Sequence, residues 1–188
     1  MEKLVLKIVN DEDPRVPWED QENAWKFVSN VPKYLCSMNI KETTSNIEAS
    51  NYKELVKGIK KLLPNKGIGW KIFTVNAYIH SGIALSLGSD YPFNDKWDSG
   101  VGGFLLVNSK EFTHPEKAAK GIVEELNQYL NGDVWGYVVE TPDGEHLDSC
   151  WGFYGKENCE EEGKAALKSC EENGKWIDVT VRKFQPNH

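Results

Sequence analysis

Residues 134–155, VWGYVVETPDGEHLDSCWGFYG, are the stretch that decides the fold class of this chain. The dipeptide Asp143-Gly144 lies between two strand-like runs, which predicts an antiparallel β-hairpin. Alternation along the second run, residues 145–153, divides its side chains between two faces of a sheet. One face carries His146, Asp148, Cys150 and Gly152. The other, which we expect to face the core, carries Leu147, Ser149, Trp151 and Phe153.

The rest of the chain mixes strand and helix patterns. Alternating or continuous apolar runs predict further strands over residues 3–9, 70–79, 82–87, 101–107 and 175–184. Apolar stripes at helical spacing predict helices over 51–63, from about Pro115 to Leu130, and over 157–172. Ser50 is the expected cap of the first helix, and Thr113 with Glu116 is the expected capping box of the second.

These elements predict an α+β fold, with a mostly antiparallel sheet and about three helices packed on it. The length fits a single domain over residues 1–188. Within it we distinguish a variable N-terminal part (1–70), a motif-bearing sheet (71–155) and a C-terminal helix and strand (156–188).

Composition narrows the class of protein. With 39% hydrophobic and 27% charged residues, the chain is typical of soluble globular proteins. No apolar run is long enough for a membrane helix, and the N-terminus lacks a signal-peptide pattern, which predicts a cytoplasmic location. The four cysteines are then expected to be thiols, and their spacing matches no zinc site, so we predict neither a metal nor a cofactor.

The charge distribution indicates two acidic surfaces. A net charge of −7 argues against broad nucleic-acid binding by the chain itself. Acidic surfaces could instead bind a basic partner, such as the nucleic-acid groove of another protein, although they could equally be solvated faces. The acidic segments are residues 11–22 and 157–172. The candidate binding residues are acids and a tryptophan of these segments, together with Trp97: Asp11, Glu12, Asp13, Trp18, Glu19, Asp20, Trp97, Glu157, Glu160, Glu161 and Glu162.

Four residues could carry chemistry if they converge: His80, Asp98, Asp148 and Cys150. The histidine would act as acid or base, and the aspartates would orient it or hold a metal. The alternative is structural, because His-Ser-Gly and Asp-Ser-Gly segments also form turns and free cysteines are usually buried and inert. Residues 100–103, GVGG, lack the lysine of a phosphate-binding loop.

Four short elements between residues 78 and 155 occur together. They are Tyr78-x-His80-Ser81-Gly82, Pro92-Phe93 followed by Trp97-Asp98-Ser99-Gly100, Tyr129-Leu130-x-Gly132-Asp133-Val134-aromatic-Gly136, and the run from Asp148 to Gly155. In these the chain resembles a family of small, functionally uncharacterised proteins encoded by bacteriophages and other mobile elements. The family usually has an aspartate where this chain has Ile79, so a possible acid–histidine pair is missing.

Two hypotheses follow. The resemblance and the acidic composition favour a non-enzymatic phage or mobile-element protein that binds and inhibits a host defence factor, of the anti-CRISPR or antirestriction type. Its partner would be a host protein or protein–nucleic-acid complex, which it would bind through acidic surfaces that mimic nucleic acid. The alternative is a small enzyme acting on RNA or a nucleotide, with His80, Asp98, Asp148 and Cys150 as its site.

Overall fold

The structure, a computed structural model, describes residues 3–19, 21, 23–29, 38–39, 50–79, 82–88 and 99–183. Its elements follow the order β1 (Val5–Asn10), β2 (Trp25–Ser29), β3 (Met38–Asn39), α1 (Tyr52–Leu62), a short 3-10 helix (Pro64–Gly67), β4 (Trp70–Ile79), β5 (Ile83–Leu87), β6 (Ser99–Asn108), α2 (Pro115–Leu130), β7 (Val134–Glu140), β8 (His146–Tyr154) and α3 (Lys156–Lys183). Two mainly antiparallel sheets and these helices confirm the predicted α+β class.

The chain divides into two compact units. We call residues 1–15 with 132–188 the three-stranded unit, and residues 16–131 the five-stranded unit, after their sheets. The expectation of one domain over residues 1–188 stays a prediction.

The three-stranded unit is built on the predicted hairpin. Its strand order is β1-β7-β8, with both pairs antiparallel, and α3 packs on one face. Tyr137 and Val139 of β7 are buried there together with Cys159 of α3. A Cβ atom at Gly163 would lie 3.1 Å from side-chain atoms of Leu6 and Tyr137, so only a small residue lets α3 approach this closely.

The five-stranded unit has a sheet covered on both faces. Its strand order is β3-β2-β6-β4-β5, and all pairs are antiparallel except the short β2–β3 pair. Along β6, Leu105 and Val107 pack in the cluster that includes α2, while Phe104 and Leu106 pack in the cluster that includes α1. Burial on both faces explains why this strand is a continuous apolar run.

Both predicted helix caps require correction. The cap of α1 is Asn51, not Ser50, because the Asn51 side chain accepts a hydrogen bond from the Glu54 N–H at 3.1 Å. The cap position of α2 is His114, and no side-chain bond caps that helix. Glu116 is therefore only the second helical residue, one short of the position that a capping box needs.

The predicted last strand over 175–184 is wrong, because α3 continues through Lys183. Alternation alone favours a strand there, but a strand needs a neighbour to bond with. No described strand pairs with residues 175–183. The β-branched residues of this segment each cost a helix only a few tenths of a kcal/mol, about what their rank among helix formers implies. No helix in the described ranges is both long enough and apolar enough to span a membrane.

Candidate functional site

The five-stranded unit brings two of the predicted motifs together. Tyr78, from the Tyr-x-His-Ser-Gly element, pairs with Ser99, from the Trp-Asp-Ser-Gly element, across β4 and β6. On the other side of β4, Ile79 pairs with Ile83. The candidate site residues next to these pairs, His80, Trp97 and Asp98, lie outside the described residues.

Beside that junction the sheet carries a row of polar side chains. Asn76 is only 2% exposed and lies between its cross-strand neighbours Ser86 and Val101. Its Nδ2 donates to the Gly88 carbonyl at 2.9 Å. The Ser86 hydroxyl oxygen is buried, and it has no hydrogen-bond partner in the described part of the chain. A buried polar atom left in this state costs free energy, so Asn76 and Ser86 form a polar spot among buried apolar side chains.

Asp148 and Cys150 lie in the other unit, on β8. Cys150 lies opposite Tyr137 in the strand register, and Asp148 lies opposite Val139. Because opposite residues have their side chains on the same face, Asp148 and Cys150 share the face that α3 covers. The Tyr137 hydroxyl donates to Asp148 Oδ2 at 3.4 Å, which is a long hydrogen bond. The structure therefore joins Asp148 to a tyrosine, and it joins Cys150 to no base among the described residues.

The prediction that Leu147 and Trp151 face the core is wrong, since they are 42% and 49% exposed. Two register shifts in the β7–β8 pair explain the error. One leaves Leu147 as an extra residue, and the other places both Trp151 and Gly152 opposite a single residue of β7. Each bulge interrupts the alternation by one step. Phe153 consequently returns to the covered face, with its ring centroid 5.8 Å from that of Tyr137.

Three ionisable groups near Asp148 and Cys150 have raised pKa values. Burial, with the charge of Asp148 adding to it, raises the pKa of Tyr137. Burial likewise raises the pKa of the Cys159 and Cys170 thiols. Raised pKa values keep these groups protonated at neutral pH, whereas an activated thiol needs a lowered one. His146 is directed elsewhere, with its Nε2 at 3.0 Å from Ser149 Oγ.

The face of the three-stranded sheet opposite α3 is the most distinctive exposed surface of that unit. We call it the open face; it comprises Val5, Lys7, Val9, Gly136, Val138, Glu140, Ser149 and Trp151. Val5 and Val9 are 37% and 39% exposed, respectively. The Trp151 ring lies directly on the backbone of Gly136, where an added Cβ would fall 2.2 Å from ring atom Cε3. An ion pair between Lys7 and Glu140 crosses the same face.

The predicted acidic surface of α3 is of mixed charge. Glu157, Glu161 and Glu162 are exposed, and exposed lysines lie before and after them, at Lys156, Lys164 and Lys168. Lys164, for instance, lies 3.7 Å from Glu160. Interleaved charges of both signs are typical of a solvated helix face.

The N-terminal acidic candidates are mainly turn residues. Asp11 accepts a hydrogen bond from the Asp13 N–H at 3.2 Å, and Glu12 and Glu19 are exposed. Trp18 is half-buried, packs against the core of the five-stranded unit and meets Tyr129 edge-on at 5.9 Å. Asp20 lies outside the described residues.

No group of three or more His, Cys, Asp or Glu residues within the described ranges could hold a metal ion. The chain matches no family model, no curated protein and no solved structure. The open face is what the sequence reasoning missed. Alternation in Val5-Leu6-Lys7-Ile8-Val9 indicated a two-faced strand, and the position of Gly136 opposite a tryptophan-bearing run was the signal for its contact with Trp151.

Proposed function

We propose that this chain is a non-enzymatic accessory protein of a bacteriophage or mobile element, and that it inhibits a host defence factor by binding it in the bacterial cytoplasm. The observation that carries the proposal is the open face, where a half-exposed tryptophan lies among exposed valines on a sheet supported from behind by α3. The resemblance to mobile-element proteins supplies the biological setting.

The open face has the composition of a protein-binding surface. Tryptophan is enriched among residues that dominate binding energy, and it contributes most when aliphatic neighbours exclude water around it. Trp151 is held in one place by its contact with Gly136, so little conformational entropy is lost when a partner covers it. The Lys7–Glu140 ion pair supplies a polar border. The acids of α3 and residues 11–19 would then assist by attracting a basic partner.

The test measures defence and binding together. The chain is expressed in bacteria that carry a CRISPR or restriction system, and phage plaquing and the co-purifying host protein are quantified. We expect Trp151→Ala to lower the plaquing efficiency and the amount of co-purified host protein by at least about tenfold each, as loss of a dominant interface residue does. Ile68→Ala, at a residue that is 74% exposed in the five-stranded unit, is the matched control and should change neither. If no defence system is relieved and no protein co-purifies in stoichiometric amount, the proposal is wrong.

The second candidate function is a small enzyme acting on RNA or a nucleotide. The pairing of Tyr78 with Ser99 favours it, because this register joins the two segments that carry His80 and Asp98. Asp148 and Cys150, the other two residues of this candidate site, lie in the three-stranded unit. If the chain is an enzyme, His80→Ala and Asp98→Asn should abolish its activity and Trp151→Ala should not. If it is a binding inhibitor, Trp151→Ala should abolish inhibition and the other two variants should leave it unchanged.

A further inference from the structure

The two edges of the three-stranded sheet differ in their capacity to accept another strand. On one edge, β8 is interrupted by bulges at Leu147 and at Trp151-Gly152, which distort the row of backbone groups. On the other edge, β1 pairs with β7 in unbroken register from Val5 to Asn10. Bulges protect an edge against further pairing, whereas β1, in which Lys7 is the one charged residue, keeps its backbone groups in a regular row. Of the two edges of this sheet, the one formed by β1 therefore has the more regular row of backbone groups for a partner strand.

The backbone groups that β1 presents outward can be identified. The Asp11 N–H donates to the Val134 carbonyl at 2.8 Å, and hydrogen-bonded pairs alternate along an antiparallel ladder. Val5, Lys7 and Val9 consequently bond to β7, and the intervening Leu4, Leu6 and Ile8 direct their N–H and C=O groups away from it. No described residue hydrogen-bonds to those outward groups.

We propose that β1 pairs antiparallel with β1 of a second copy of this chain, about a two-fold axis at Leu6, to form a continuous six-stranded sheet. In this register Leu6 faces Leu6 of the second copy, and Leu4 faces its Ile8. Each of these pairs uses outward N–H and C=O groups only. The inference does not depend on the proposed function, and it extends the open face across both copies.

Side-chain chemistry selects this register. Leu4, Leu6 and Ile8 already pack in the apolar cluster under α3, so pairing them with one another continues that cluster across the axis. Lys7 faces Val5 of the second copy. An axis at Lys7 would place two lysines directly opposite each other, and like charges in that position are destabilising. A single strand pair buries little surface, so the dimer is a weak one that forms with increasing concentration.

The first experiment follows amide hydrogen exchange and sedimentation of the intact chain over a range of concentrations. The monomer protects the amides of Val5, Lys7 and Val9. We expect the amides of Leu4, Leu6 and Ile8 to become protected as the concentration rises, in step with the appearance of a dimer. Leu6 and Ile8 amides that exchange freely at all concentrations, or a chain that stays monomeric up to millimolar concentration, would overturn the proposal.

The second experiment uses a matched charge pair at Val5, which is exposed and faces Glu140 within the monomer. Val5→Lys places a lysine opposite Lys7 of the second copy, twice per dimer, whereas Val5→Glu places a glutamate there. We expect the dimerisation constant of Val5→Lys to be about tenfold weaker than that of Val5→Glu. Within one chain the order is reversed, because lysine attracts Glu140 and glutamate repels it. If Val5→Lys, the variant with the more stable monomer, also dimerises more tightly than Val5→Glu, the proposed register is wrong.

Discussion

The side-chain amide of Asn127 holds both outward-facing backbone groups of Leu85. Its Oδ1 accepts from the Leu85 N–H at 2.7 Å, and its Nδ2 donates to the Leu85 carbonyl at 2.9 Å. Four residues later, at the C-terminal cap of α2, Asn131 donates to the Ile83 carbonyl at 3.2 Å. Because β5 is the last strand of its sheet, these two asparagines take the place of a neighbouring strand. Covering an edge with a helix prevents it from pairing with another chain.

We predict that Asn127→Asp destabilises the five-stranded unit by about 1–3 kcal/mol, the typical cost of leaving a buried polar group unsatisfied. The aspartate keeps the acceptor for the Leu85 N–H but places a second negative oxygen against the Leu85 carbonyl. Urea unfolding measures the change. Gln128→Glu adds the same charge one residue further along α2, and a loss of stability as large as that of Asn127→Asp would show that charge alone is responsible.

The contact between Trp151 and Gly136 predicts a second effect. A methyl group at Gly136 would overlap the ring, so Gly136→Ala should displace Trp151 and cost about 1–3 kcal/mol, as overpacking does. Tryptophan fluorescence and urea unfolding report the two changes. Gly121→Ala is the control, since an added Cβ there meets no atom within 4 Å and alanine is the better helix former. That variant should be slightly more stable. In the double variant Gly136→Ala with Trp151→Ala the ring is absent, so adding Gly136→Ala to Trp151→Ala should cost far less stability than Gly136→Ala costs alone.

Local signals were sufficient to predict the secondary structure around the hairpin. The Asp143-Gly144 turn and the strands on either side of it were predicted correctly, because both depend on neighbouring residues only. The division into two sheets could not be predicted. It follows from the pairing of Val5 with Glu140, which are far apart in the chain and carry no local signal of their contact.

The candidate site was harder to predict, for a related reason. A bulge changes which face every later residue occupies, and hydrophobic periodicity does not encode it. Gly152 adopts a φ of +84°, a conformation that glycine reaches without strain, and its presence in an apolar strand was the only local hint. The bulge places Trp151 and Phe153 on opposite faces, whereas strict alternation places them on one, so Trp151 is exposed and becomes part of the proposed binding surface.

The buried Tyr137 predicts a loss of stability at alkaline pH. Burial, and then the charge of Asp148, raises its pKa above the ordinary value. In the unfolded chain tyrosine ionises near pH 10, so the stabilisation is complete below about pH 10 and is lost as the pH rises towards the folded-state pKa. Tyr137→Phe should remove this part of the alkaline loss. Asp148→Asn should reduce it, because it removes one cause of the shift. Urea midpoints measured from neutral to alkaline pH test both, and an unchanged pH dependence in Tyr137→Phe would contradict the assignment.

The thiols offer a prediction that also separates the two functional hypotheses. Cys150 is exposed, whereas Cys159 is fully buried and its pKa is raised by that burial. Alkylation requires an accessible thiolate, so at neutral pH Cys150 should react first and Cys159 by far the slowest of the described thiols. Mass spectrometry of a Cys36→Ser background after timed alkylation measures the order, and unfolding in urea should bring the rates together. A Cys150 that reacts faster in the folded chain than in urea would mean that the fold activates it, and would favour the enzyme. A Cys150 with the reactivity of an ordinary exposed thiol fits a surface residue with no catalytic role.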